Sequence, residues 1–152
     1  MRTLSDFKHL FEYDTWANRA AIASIKNLTS GRPRSVQLFS HLIETEILWH
    51  RRIILDYAHI KGVWNAWPLE KCEHEFNTIL ATWNELLENI AESNLQEQIS
   101  YINTQGVAYT NTVEQILIHV INHSTYHRAQ IATEVRKAGG EPASTDYIQY
   151  VR

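Results

Sequence analysis

Three histidines recur at intervals of four in the segment His119-Val-Ile-Asn-His123-Ser-Thr-Tyr-His127. On a helix, residues four apart carry their Cβ atoms about 5–6 Å apart on one face. Two imidazoles so placed can converge on one divalent cation at about 2.0–2.1 Å per nitrogen. Eight histidines in 152 residues make a chance pair easy to meet, so the surrounding residues have to arbitrate. At about 100° per residue, Val113, Ile116, Leu117, Val120, Ile121, Ile131 and Val135 form one apolar stripe. His127 then lies roughly 50° from the stripe centre, His123 about 90° and His119 about 130°. About 12 Å of helix axis separates His119 from His127, too far for one ion. The expected pair is His123 with His127, with His119 at the surface or behind it.

Such a pair needs elements to hold it. Four long helical patterns run through the chain. The first spans about Ser5 to Asn27, with Phe7, Leu10, Phe11, Ala17, Ala21 and Ile25 among its apolar positions, and stops in Thr29-Ser30-Gly31-Arg32-Pro33. The second begins after Ser35, a plausible N-cap, and reaches Tyr57 or Ala58. It is apolar nearly all round, as expected of a helix buried on several sides. A connection through Gly62-Val63-Trp64-Asn65-Ala66-Trp67-Pro68 leads to a third helix over about Leu69 to Ile90, with Pro68 suiting its first turn. Gln98 to Thr110 reads as a short hairpin turning at Gly106. Asn111 or Thr112 caps the fourth helix, which runs to about Ala138 before Gly139-Gly140. A short turn carrying Tyr147, Ile148 and Tyr150 closes the chain. Helices of this length bury their stripes most simply as an all-α four-helix bundle, a single domain over residues 1–152.

Composition narrows the function classes. With 44% hydrophobic and 20% charged residues the chain is an ordinary globular one. A net charge of -3 argues against a general nucleic-acid binder. Arg51-Arg52 reads as a solvated pair. The lone Cys72 allows no internal disulfide and is read as a partly buried small residue in a reducing compartment. No h-region follows Met1 and no apolar run reaches the 18 or so residues that span a bilayer, so a cytoplasmic protein away from membranes is expected.

A catalytic metal site normally uses three protein ligands and an open position. His9, His59 and His74 fall near helix ends or the chain start and are expected to be exposed. His41 and His50 both lie inside the second helix, and periodicity does not choose between them. The ferritin-like Glu-x-x-His, the zincin His-Glu-x-x-His and the Gly-x-Ser-x-Gly elbow are all absent.

Three segments resemble the DinB family of four-helix-bundle metalloproteins. Phe11-Glu-Tyr13-Asp-Thr-Trp16-Ala17-Asn18-Arg19 is similar to its first-helix signature. Ser40-His41-Leu42-Ile43-Glu44, followed by Trp49, is similar to its second-helix ligand segment. Asn122-His123-Ser-Thr-Tyr126-His127-Arg128-Ala-Gln130-Ile131 is similar to its fourth-helix Asn-His-x3-His-Arg-Gly/Ala-Gln-Ile. Ala129 stands where many members have glycine, and a methyl there is expected to be harmless. The resemblance implies metal ligands at His41, His123 and His127, a long crossover between the second and third helices, and a homodimer. Zinc or nickel suits three imidazoles. The wider superfamily includes S-transferases and isomerases that use low-molecular-weight thiols such as bacillithiol or mycothiol.

The expectation is therefore a metal-dependent enzyme of thiol S-transferase or hydrolase type, taking a small-molecule substrate or thiol. The alternative is a non-catalytic metal-binding sensor or scaffold in a stress response. Trp16, Trp49 and Trp83 are read as core. Arg128 is expected to pair with a carboxylate, Glu44 or Asp14, and Asn18 and Asn122 are candidates to support the metal ligands. Ile118, Trp64 and Trp67 are read as exposed apolar groups marking a partner surface.

Overall fold

The computed structural model describes residues 2–56, 62–103 and 105–152. Helix α1 (Leu4–Lys26) starts where the Thr3 side chain accepts from the Asp6 amide and Asp6 accepts from Thr3 N–H at 2.8 Å. This reciprocal box satisfies two of the donors that a helix start leaves free. Helix α2 (Pro33–Ile53) starts differently from expectation. Arg32 holds the cap position and Pro33 the first turn, where its missing N–H costs nothing. Ser35 lies inside the helix, buried, and donates its hydroxyl to Arg32 O at 2.9 Å. The helix also ends earlier than expected, at Ile53, followed by Leu55 at φ +57°. The expected end at Tyr57 or Ala58 falls outside the described residues.

Helix α3 (Leu69–Asn89) follows Pro68, which occupies its cap. A single 3₁₀ turn (Glu92–Gln96), not foreseen, leads into strands β1 (Gln98–Ile102) and β2 (Ala108–Thr112). They pair antiparallel with Tyr101 opposite Tyr109. Thr112 then caps helix α4 (Val113–Lys137) through a second reciprocal box with Gln115. A short helix α5 (Tyr147–Tyr150) ends the chain.

Helix α4 packs on α1 and α2, and α3 packs on the same two helices from the other side. Helices α1 and α2 are diagonal neighbours, and the connection after α2 returns beside that helix, with Val63 and Asn65 meeting His41 and Ser40, before α3 begins. Phe7, Ile25, Leu38, Phe39, Leu42, Ile43, Trp83, Leu117 and Ile131 fill the centre. Trp83 is core as expected, whereas Trp16 and Trp49 are only partly buried. Ile118 and Trp67, read as exposed, pack partly against the core.

Arg52 departs most from its expected solvated role. It is buried, with its guanidinium 4.4 Å from the Trp49 ring and 4.2 Å from Tyr101, and it donates to Ile102 O. A weakly hydrated, planar cation tolerates this aromatic clamp, and the clamp ties the hairpin to α2. Cys72 is fully buried, not partly, and burial pushes its thiol up to about 11. It is an inert core residue.

Candidate metal centre

Helices α2 and α4 bring His41, His123 and His127 together. The nitrogens they offer all lie within 4.8 Å of one another. Ring centroids are 4.4 Å apart for His123–His127, 4.6 Å for His41–His127 and 5.2 Å for His41–His123. One side of this triangle comes from i,i+4 spacing on α4. The third corner depends on the packing of α2 against α4. His119 stays exposed beside the cluster, its ring 5.6 Å from His123 and 4.9 Å from Trp49. His50 faces α3, edge-on to Trp83 at 5.0 Å, so the two histidines of α2 serve opposite sides of that helix. His9 and His74 are exposed as expected, and His59 lies outside the described residues.

The ring orientations are set from outside the cluster. His41 Nδ1 meets the carbonyl of Val63, and His127 Nδ1 lies 3.0 Å from Gln130 Oε1. Both acceptors demand an N–H at Nδ1, which leaves the Nε2 lone pair of each ring free to bind a cation. Gln130 is on the next turn of α4, while Val63 arrives from the crossover. That crossover is pinned to α2 by two further residues: Ser40 donates to Asn65 O, and Glu44 accepts from the Asn65 backbone and side chain. Trp64, expected only as a surface aromatic, stacks flat on His41 with ring centroids 3.6 Å apart and planes 5° from parallel. No periodicity marks a loop residue for such a place.

Electrostatics keeps the imidazoles neutral. Burial lowers the His123 pKa to about 3, with the neighbouring His127, His41 and His119 adding to the effect. Burial likewise lowers His41 and His127. Neutral imidazole is the form that binds metal. Three inward lone pairs, with no carboxylate in the cluster, fit a borderline cation such as zinc or nickel better than a hard one such as magnesium.

A second polar cluster lies deeper, between α1, α2 and α4. Arg128, beside His127 in sequence, pairs with Asp14 and not with Glu44, and donates to Asn18 Oδ1 at 2.8 Å and Thr125 Oγ1 at 2.8 Å. Asn18 donates to Asp14 at 2.9 Å and to Glu46 at 3.2 Å. Glu46 also accepts from Trp83 Nε1 at 3.2 Å and Ser124 Oγ at 3.3 Å. Burial raises Asp14 against the pull of Arg128, and burial together with the Asp14 charge pushes Glu46 up to about 8. Both shifts favour a proton held between the two carboxyls, raised in each by burial. Asn18 thus braces this network and does not support the histidine cluster, and Asn122 is exposed.

A DinB family profile matches residues 1–152. The chain belongs to the DinB family. Protein DinB of Bacillus subtilis (strain 168) is 28% identical over 166 aligned positions, covering 97% of this chain and 95% of that protein. The crystal structure of a DinB-like protein from Bacillus cereus ATCC 10987 matches with a TM-score of 0.67 at 16% identity, covering 94% of this chain and 97% of that one. The family expectation, the bundle and its small hairpin therefore stand, and this DinB-family chain carries a three-histidine cluster able to hold a metal ion. Among the described residues no helix is long and apolar enough to cross a membrane.

Proposed function

We propose that this DinB-family protein is a metal-dependent enzyme in which His41, His123 and His127 hold one divalent ion, zinc or nickel, with a position left open for substrate. The convergence of three neutral imidazoles supports this reading most strongly. A cation held there supplies Lewis acidity, which lowers the pKa of a bound thiol or water. The chain's own part is to present Nε2 of His41 and His127, to shield His41 under Trp64 and to keep protons off the rings.

The preferred reaction is S-transfer from a low-molecular-weight thiol to an electrophilic substrate. The thiol gives its proton to solvent, its sulfur forms a bond to the electrophilic carbon, and the leaving group departs with its bonding pair. Thiol chemistry is favoured over hydrolysis because among the described residues no carboxylate hydrogen-bonds a ring of the cluster. Glu44 is turned to Asn65 and Glu46 is sealed in the core. The whole chain is proposed to act as one domain, in the cytoplasm and as a homodimer. The exposed Ile102 and Val107 at the hairpin tip offer apolar surface for association, which sedimentation would detect as twice the chain mass.

Two assays made together test the enzyme. Elemental analysis should find one metal per chain, lost in His127→Ala. Thiol consumption against an electrophile panel should be saturable and metal-dependent. Bound metal without turnover would instead favour a stress-response sensor or scaffold.

A further inference from the structure

One side chain at the rim of the histidine cluster has no part in the chemistry above. Arg34 lies in the first turn of α2, seven residues before His41, so two helical turns bring both side chains to one face. Its guanidinium carbon is 5.8 Å from the centre of the Trp64 ring. That ring lies 3.6 Å from His41 and 6.0 Å from His127. Beyond the effect of burial, the Arg34 charge reaches both histidines and disfavours their protonation. The cation therefore sits beside the cluster, separated from it by one aromatic ring.

Its bonding is incomplete. Arg34 is exposed, and Nη1 donates at 2.7 Å to the neutral Gln37 side chain. Among the described residues it makes no ion pair. The buried Arg128, by contrast, is met by Asp14. The cluster brings no negative charge of its own, so a divalent ion held there would keep its full charge. A rim arginine adds another. A guanidinium with free donors in a fixed fork matches a carboxylate in two-point contact.

We propose that Arg34 selects the substrate of this site by its charge. The preferred thiol carries a carboxylate, held by the guanidinium, while its carbon chain crosses the Trp64 face and its sulfur reaches the three histidines. This rests on the metal reading given above.

The test uses cobalt-loaded protein and reads thiolate binding from the cobalt absorption band, without turnover. Mercaptohexanoate is titrated against mercaptohexanol, which has the same reach without the charge, and mercaptopropionate against mercaptopropanol. The acid of the longer pair should bind about tenfold more tightly than its alcohol, the size of one hydrogen bond to a charged group. Arg34→Gln, with an unchanged melting temperature, should bring the two within about twofold while leaving mercaptohexanol affinity unaltered. Arg34→Lys should keep part of the preference, and added salt should weaken it. Equal affinities of acid and alcohol in the wild-type protein, or a preference that survives in Arg34→Gln, would overturn the proposal and leave the metal reading intact. Failure of cobalt to load would take both down.

Discussion

Helices α2 and α4 carry two polar clusters one turn apart, and the two are built on opposite principles. His41, His123 and His127 gather nitrogen lone pairs with no counter-charge among them, two of the rings buried and His123 partly so. Glu46, Ser124 and Arg128, with Asp14 and Asn18 from α1, gather carboxylates around their own cation in a sealed core. The second cluster is nearly complete as it stands, the buried Nε of Arg128 being its one donor without an acceptor among the described residues. The first holds lone pairs alone and is able to take a metal ion. The difference shows how one pair of helices can separate a rigid brace from a cluster able to hold a metal ion. The brace is buried and neutral in sum; the histidine cluster is neutral in each part, with His123 only partly buried.

Breaking the brace should cost the most. Arg128→Met leaves Asp14 and Glu46 buried without their cation, and losing one partner of a buried pair costs about 3–5 kcal/mol. The urea midpoint should fall accordingly, and a change within error would mean that the network carries no load. Stripping the other cluster should cost less. At a hundredfold excess of free metal over Kd, a bound ion adds about 2.7 kcal/mol, or roughly 5–10 °C in melting temperature for a chain of this size. EDTA should remove that increment in the wild-type protein and do nothing in His127→Ala. A smaller effect should come from Asn65→Ala, which frees the crossover that brings Val63 to His41. Metal affinity should drop about tenfold, as for other groups that orient a ligand from outside, with little loss of apo stability.

The pH dependence sharpens the contrast further. Glu46 keeps its proton in the folded state up to about 8 but loses it near 4.5 when unfolded. Its contribution is full below 4.5 and lost as pH rises through 8. His123, lowered to about 3, acts oppositely: its contribution is present above 6.5 and lost as pH falls toward 3. Between 6.5 and 8 the histidine is silent, so metal-free protein should lose stability with rising pH. Glu46→Gln should flatten that slope in urea titrations, and an unchanged slope would place the proton elsewhere.

The sequence showed the α4 half of the site and hid most of the α2 half. His123 and His127 share one helix, so spacing alone pairs them. His41 and His50 sit in a helix that is apolar nearly all round, where no moment says which side faces which neighbour, and family resemblance had to choose. Packing separates them, with α4 against one and Trp83 of α3 against the other. Val63 and Trp64 had no legible signal, because a connection has no period to read. The burial of Arg52 is illegible in the sequence for a related reason: its aromatic partner Tyr101 lies on a hairpin distant in sequence. The helix ends went better where a capping side chain marks them, as at Thr112, than at α2, where Pro33 begins the helix and Ser35 only resembled a cap.

X-ray absorption on protein reconstituted with one equivalent of zinc tests the central claim most directly. Three imidazole nitrogens at about 2.0–2.1 Å and at least one further light atom are expected, falling to two imidazoles in His41→Ala. A first shell without imidazole, or one that His41→Ala leaves unchanged, would contradict a metal held between α2 and α4.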